Sequence, residues 1–185
     1  PYQRRLFAFL SVATFFEGYD LCAVTQVLPH LAREHGLDES QKGLVLSVVA
    51  IGTMFSYFVV RLADVLGRRR VLTITIIGYT LATLVTAVSN GIVMFTLAQL
   101  VARAFLIGEW AISMVIAAEE FPASRRGFVI GLIQGASSFG FIVCSAVVPL
   151  LVQTELGWRT VYLVGVVPLL LIAFARRDLR ETARF

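Results

Sequence analysis

The sequence predicts an all-α protein that lies in a membrane as a bundle of six helices. Its composition and the length of its apolar runs predict this class. Of the 185 residues, 58% are hydrophobic and 15% are charged, whereas soluble domains are about 45–50% apolar and about 25% charged. A soluble core of this size cannot bury so much apolar surface, so the excess faces lipid. The composition excludes a cytosolic enzyme, a disulfide-stapled secreted module and a disordered chain.

Six apolar segments approach the length of roughly 20 residues with which a helix spans the hydrocarbon core. They show no period-two alternation, which excludes strands of an outer-membrane barrel. The first run is too long for a cleavable signal and is followed by similar runs. Ser89, Asn90 and Gly91 form a tight turn between the third and fourth runs. Within a single domain of residues 1–185, the expected helices cover residues 6–31, 43–62, 71–88, 92–118, 127–152 and 158–175.

Basic residues are concentrated in alternate connections between these helices. One side carries Arg4, Arg5, Arg61, Arg68, Arg69, Arg70, Arg125, Arg126, Arg176, Arg177, Arg180 and Arg184, and the other carries Arg33, Lys42 and Arg159. Positive charge stays in the cytoplasm, so we expect a multi-pass protein of the plasma or inner membrane with both termini cytoplasmic. The net charge of +4 is then a topology signal, and no nucleic-acid partner is expected.

Four ionisable residues interrupt the apolar runs: Glu17 and Asp20 in the first helix, and Arg103 and Glu109 in the fourth. Each costs at least about 2.5–3.5 kcal/mol at the bilayer centre. Glu17 and Asp20 are three positions apart, which predicts that they share one helix face. With a rise of about 1.5 Å per residue, Glu17 and Arg103 each lie roughly 16 Å from opposite membrane surfaces. Both are therefore expected near the midplane.

These charges have two interpretations. In the first, Arg103 neutralises Glu17 or Asp20 and holds two helices together as a structural pair. In the second, they line a water-filled pathway, where a carboxyl group binds and releases a proton and Arg103 meets an anionic group. The restriction of the charges to the first and fourth helices favours the pathway.

The connection between the second and third helices resembles the loop signature of the major facilitator superfamily. In the segment 62–72, Asp64, Gly67, Arg68 and Arg69 match that signature, whereas Val60 and Val65 replace its first Gly and an Arg. The resemblance implies that the four matching residues form a cytoplasmic gate loop, whose ion pairs break and reform between two access states. A plain cytoplasmic anchor of arginines is the alternative.

Other motifs resemble the same superfamily. The run from Phe15 to Asp20 is similar to the acidic-Gly-aromatic-Asp motif of its metabolite:proton and aromatic acid:proton symporters, and Arg103 matches the Arg of the helix-four signature. The matches to that branch also include the residues 109–111, 119–123, 125–127 and 157–159. The resemblance implies the N-terminal half, a 3+3 inverted repeat, of a twelve-helix transporter whose two halves surround one cavity. Because the chain begins at Pro1, we expect a fragment, with a processed protein as the alternative, and the resemblance implies that the C-terminal half is absent.

Gly127, Gly131 and Gly135 repeat at four-residue spacing in the fifth helix. Small residues on one face let helices approach closely. The resemblance implies that this face meets the absent half, and packing within the present half is the alternative. The Gly-Pro step of drug:proton antiporters is absent from this helix.

We therefore expect a proton-coupled symporter of a small organic metabolite, an organic acid, that works by alternating access in the lipid bilayer. Glu17 and Asp20 are expected to couple protons and contact substrate, Arg103 to bind an anion, and Glu109 to act as a second proton group. No catalytic site, cofactor or metal is expected, because no Ser-His pair lies at membrane depth and no phosphate-binding loop exists. A facilitative uniporter of a sugar or other metabolite remains an alternative, as does a six-helix membrane protein without transport activity.

Overall fold

A computed structural model describes residues 2–175 of the chain, and that range contains six α-helices and no strand. The all-α class and the six-helix bundle are thereby confirmed. The last four arginines of the expected cytoplasmic set, at positions 176, 177, 180 and 184, lie outside the described residues. In chain order the helices are α1 (Tyr2–His35), α2 (Glu39–Leu66), α3 (Arg68–Ala87), α4 (Ile92–Glu120), α5 (Ala123–Leu151) and α6 (Arg159–Ala175).

Several helices extend beyond the apolar runs that predict them, because polar residues at their ends add further helical turns at the membrane–water interface. The start of α2 is the clearest case. Asp38 Oδ1 accepts a hydrogen bond from the backbone N–H of Gln41 at 2.7 Å, and Gln41 Oε1 accepts one from the Asp38 N–H at 3.0 Å. This capping box begins the helix at Glu39, four residues before the expected start at Gly43.

The connection between α2 and α3 is a single glycine. Gly67 has a φ angle of 91°, a conformation that glycine adopts readily and other residues rarely do. α1, α3 and α5 begin at one end of the bundle, which we call the basic end because it carries Arg68 and Arg125. α2, α4 and α6 begin at the other end, which we call the far end.

The first three helices, α1–α3, pack mainly against helices of the second three, α4–α6. α1 packs mainly on α5, α4 packs mainly on α2, and α3 lies against α4 and α6. These two contacts are equivalent if α4–α6 repeat α1–α3 in inverted orientation. This pair of contacts agrees with the inverted repeat that the resemblance implies.

Glycines form both of these crossings. A Cβ on Gly140 of α5 would overlap the Phe15 carbonyl oxygen of α1, and a Cβ on Gly52 of α2 would overlap the Leu100 carbonyl oxygen of α4. Backbones that approach this closely gain packing contacts, which drive helix association where no water is present.

The described helices have the dimensions of membrane spans. Five of them, α1 to α5, are long and apolar enough to cross a bilayer. α6 has 17 described residues, the lower limit of about 17–25 residues for a span. Large apolar side chains of α2 and α5 are widely exposed, including Met54 at 74% and Phe128 at 72%. These two helices offer surfaces that lipid or further protein can cover.

Candidate functional site

Four consecutive residues in the middle of α1, Glu17 to Asp20, contact three other helices. Glu17 and Gly18 meet α5, Tyr19 donates a hydrogen bond from its hydroxyl to the Val161 carbonyl of α6 at 3.3 Å, and Asp20 meets α3. The acidic-Gly-aromatic-Asp pattern thus has a structural basis, since its four positions face three different helices.

Glu17 is half-buried at the crossing of α1 and α5. Ser137 Oγ donates a hydrogen bond to Glu17 Oε2 at 2.7 Å. The two helices cross closely at this point, because a Cβ on Gly18 would overlap the Ser137 carbonyl oxygen, so only glycine admits the α5 backbone here. One turn earlier on α5, Gln134 Oε1 accepts a hydrogen bond from Trp110 Nε1 at 3.1 Å. Glu17, Trp110, Gln134 and Ser137 form what we call the polar strip, and all four are at least partly exposed.

Asp20 is sealed inside the bundle, with 2% of its surface exposed. The Tyr79 hydroxyl of α3 donates a hydrogen bond to Asp20 Oδ1 at 3.1 Å. Within the described residues, Asp20 Oδ2 and the buried Tyr162 hydroxyl have no hydrogen-bond partner. A buried carboxyl oxygen without a partner is costly, and such groups in native structures call for a functional explanation.

The expectation that Glu17 and Asp20 share one face therefore needs a correction in detail. Three positions along a helix correspond to a rotation of about 60°. That rotation directs Glu17 to α5 and Asp20 to α3. The two carboxyl groups are neighbours with separate partners, one accessible and one sealed.

Arg103 lies on α4 with 9% of its surface exposed. Its helix contacts α1, which carries Glu17 and Asp20. Among the described residues, however, Arg103 forms no salt bridge with Glu17 or Asp20. The direct ion pair of the first interpretation is not present in this conformation.

Glu109 is also buried on α4, with 4% of its surface exposed. Its chain neighbour Trp110 instead reaches the polar strip. The fourth helix therefore presents Arg103 and Glu109 to the interior of the bundle and Trp110 to α5.

The expected gate loop lies at the basic end. Arg68, the first residue of α3, forms a salt bridge with Glu119 of α4, a pairing that the loop motif by itself did not indicate. Asp64 is exposed near the end of α2, and Gly67 makes the turn. Arg69 continues α3, and its side chain lies outside the described part of the structure.

The three regularly spaced glycines of α5 do not pack inside this bundle. A Cβ on Gly127, Gly131 or Gly135 would meet nothing within 4 Å. Gly140, which stands outside that spacing, makes the close contact with α1 instead. Of the two alternatives for this face, packing within the described helices is not observed.

Sequence reasoning missed two partners of the carboxyl groups, Ser137 and Tyr79. Gly18 was the available signal for Ser137, because a glycine beside an acid in an apolar helix indicates a close helix crossing. Nothing in the sequence marked Tyr79, since a tyrosine within an apolar run is common. Within residues 2–175, no group of three or more His, Cys, Asp or Glu side chains is arranged to hold a metal ion.

A model of the Major Facilitator Superfamily matches residues 10–184 of the chain. The protein named "Probable 4-methylmuconolactone transporter" from Cupriavidus pinatubonensis is 27% identical over 192 residues, which cover 100% of this chain and 44% of that protein. The "Benzoate transport protein" of Acinetobacter baylyi is 24% identical over 188 residues, which cover 98% of this chain and 40% of that protein. The chain thus spans less than half the length of these curated relatives.

Solved structures resemble the chain in fold. The xylose transporter XylE from E. coli in an inward open conformation superposes with a TM-score of 0.85 at 18% identity. The superposition covers 97% of this chain and 48% of that chain. At this identity the likeness shows the fold alone, which is half of a transporter fold.

Proposed function

The chain belongs to the Major Facilitator Superfamily, and from this premise we propose that it is the N-terminal half of a proton-coupled symporter for a small organic acid. One observation carries the proposal. Two carboxyl groups of one helix are divided between a sealed position, Asp20 at 2% exposure, and a half-buried position at Glu17. Such a division suits symport in which the proton binds at one group and the substrate binds at the other.

Asp20 is the proposed proton site. Its carboxyl group lies in a low-dielectric interior with one hydrogen-bond donor, Tyr79, and one oxygen without a partner. Taking up a proton removes the buried charge, and releasing the proton restores it. Arg103 is buried on α4, which contacts α1, so an anion that binds Arg103 changes the free energy of that release through the charge it brings close to Asp20.

Glu17 and Arg103 are the proposed substrate groups, and Glu109 is a second proton group. The polar strip supplies hydrogen-bond donors and acceptors around Glu17 at the surface of the bundle. A guanidinium binds a carboxylate through two parallel hydrogen bonds. The names of the two relatives, which concern a muconolactone and benzoate, support an organic acid as substrate.

Alternating access requires gates and a second half. We place the basic end in the cytoplasm of a plasma or inner membrane, because arginine is concentrated there. Asp64, Gly67, Arg68 and Arg69 are the proposed cytoplasmic gate, with the Arg68–Glu119 salt bridge as its described contact. The open face at Gly127, Gly131 and Gly135 is the proposed contact with the second half. No catalytic activity, cofactor or nucleic acid enters this function.

The proposal is tested by uptake into liposomes that contain the intact protein. An imposed pH gradient, acidic outside, should drive the accumulation of radiolabelled benzoate or a muconolactone, and a proton uncoupler should abolish it. Uptake of a neutral sugar under the same gradient serves as the control. Equilibration of the sugar without any response to the gradient would favour a facilitative uniporter, and no uptake of any compound in a broad screen would favour a membrane protein without transport activity.

A further inference from the structure

We propose that Glu34, Trp158 and Arg159 form a latch at the far end of the bundle, which we call the far-end latch. It opposes the Arg68–Glu119 salt bridge at the basic end in setting the balance between the two access states. The proposal deepens the proposed function and rests on it, because access states exist only in a transporter. Its residues do not touch the substrate; they hold the end of α1 in position.

The far-end latch joins three segments of the chain. Trp158 Nε1 donates a hydrogen bond to Glu34 Oε2 at 2.7 Å, and Arg159 Nη1 lies 3.6 Å from Glu34 Oε1. Arg159 Nη2 also donates to the Ser89 carbonyl at 3.0 Å. The end of α1, the turn between α3 and α4, and the start of α6 are thus held together by charge-assisted contacts.

One side of the latch is rigid and the other is accessible. Trp158 is 3% exposed and packs edge-to-face on Phe95 at 5.6 Å between ring centroids. The Arg159 guanidinium lies 4.5 Å from the centroid of the Trp158 ring. The side chain of Glu34, in contrast, is 44% exposed. Release of the latch therefore separates the end of α1 from the buried Trp158, and it also loosens the packing of Leu31 in the core.

The far-end latch and the basic-end salt bridge occupy equivalent places in the inverted repeat. Arg68 is the first residue of α3 and pairs with the penultimate residue of α4. Arg159 is the first residue of α6 and pairs with the penultimate residue of α1. Glu34 and Glu119 are separated by the same number of positions as Phe15 and Leu100.

This spacing matters because Phe15 and Leu100 mark the two helix crossings. Gly140 packs against the Phe15 carbonyl oxygen, and Gly52 packs against the Leu100 carbonyl oxygen. The same shift in residue number from α1 to α4 therefore relates one helix crossing to the other and one ion pair to the other. Two contacts of the same kind lie at opposite ends of helices that carry Asp20 and Arg103.

A proline gives the end of α1 the freedom to move. Pro29 lies inside α1, five residues before Glu34, and it has no backbone N–H to bond the carbonyl one turn earlier. Helices bend at such positions. Pro29 therefore marks the place where the segment 30–35 can bend, and this segment is held to the bundle by the buried Leu31 and by the latch.

Because alternating access opens one end at a time, a contact that stabilises the closed far end also favours the open basic end. Weakening the far-end latch should therefore open the far end and close the basic end. Weakening the Arg68–Glu119 salt bridge should have the opposite effect.

Hydrogen–deuterium exchange of the intact protein in lipid nanodiscs, without substrate, tests this reciprocity. In Glu34→Gln, exchange should become about threefold or more faster in residues 30–35 and slower by a similar factor in residues 68–72 and 115–120. Trp158→Phe keeps an aromatic ring and loses the N–H donor to Glu34. It should change the exchange rates at both ends in the same directions as Glu34→Gln. Arg68→Gln should shift them in reverse. Glu155→Gln removes another exposed carboxylate from the far end and should leave both ends unchanged.

Faster exchange at residues 30–35 with unchanged exchange at the basic end would show that the latch only stabilises the end of α1 locally, and this would overturn the proposal. So would an identical shift in Glu155→Gln, or a shift of Arg68→Gln in the same direction as Glu34→Gln. Failure of the proposed function would appear elsewhere, as an absence of uptake by the wild-type protein, because the exchange measurement needs no substrate.

Discussion

Glu17 and Asp20 show how far the spacing of residues predicts a site. Their separation correctly suggests that they are neighbours in the middle of one helix. The sequence does not reveal that Ser137 of α5 contacts one and Tyr79 of α3 contacts the other. Those partners depend on the crossings of α1 with its neighbours, which a single helix does not encode.

Ser137 tests the role of Glu17 in substrate binding. Ser137→Ala removes the donor that fixes Glu17 Oε2. A hydrogen bond to a charged group contributes about 1.5–3 kcal/mol, so the KM for the substrate should rise by roughly one to two orders of magnitude. Ser138→Ala changes the exposed neighbour on the same helix and should leave KM within about twofold. Equal KM values for the two variants would remove Glu17 from the substrate site.

Arg103 distinguishes an anion-binding group from a structural one. Arg103→Gln should weaken the binding of a carboxylate substrate by about 1.5–3 kcal/mol, because charge-assisted hydrogen bonds are lost. The binding of a neutral analogue should change much less. Both affinities are measured by competition against labelled substrate, with Arg103→Lys as the variant that keeps the charge. Equal losses for the two ligands would support the structural pair instead.

At the scale of helices, glycine spacing proved a partial guide. The regular series of Gly127, Gly131 and Gly135 predicted a close-packed face, and that face has no neighbour among the described residues. The close crossings are made by Gly52 and Gly140, which belong to no repeat. The spacing of glycines identifies a helix face without side chains, but which helix packs on that face depends on the assembly of all the helices.

Gly18 provides a test of the α1–α5 crossing. In Gly18→Ala the new Cβ would overlap the Ser137 carbonyl oxygen, and overpacking of this kind costs about 1–3 kcal/mol. The melting temperature of the intact protein should fall. Gly43→Ala is the matched control, because a Cβ there meets nothing within 4 Å, and it should be neutral or slightly stabilising. A melting temperature equal to that of wild type in Gly18→Ala would contradict the described crossing.

At the scale of the molecule, composition was the strongest predictor. The shares of apolar and charged residues indicated a membrane bundle, and the alternation of arginines indicated an orientation. Helix ends were less predictable, because caps such as Asp38–Gln41 depend on local hydrogen bonds that hydropathy does not measure. The exposed faces of α2 and α5 explain why so apolar a chain buries only part of its surface.

The orientation has a direct test in intact cells. Ser40 at the far end and Ser124 at the basic end are both exposed, and each is replaced by Cys. A membrane-impermeant maleimide added outside should label Ser40→Cys and leave Ser124→Cys unlabelled until the cells are lysed. The parent protein is the control, since Cys22 and Cys144 are buried. The reverse pattern of labelling would invert the proposed topology.

The central claim is that Asp20 couples the proton to the substrate, and proton flux in liposomes tests it most directly. With the wild-type intact protein, substrate added outside should carry protons inward, which an internal pH dye detects. In Asp20→Asn this flux and gradient-driven accumulation should be lost, while exchange of labelled for unlabelled substrate at equal concentrations continues. Proton flux of wild-type size in Asp20→Asn, with exchange intact, would contradict the account.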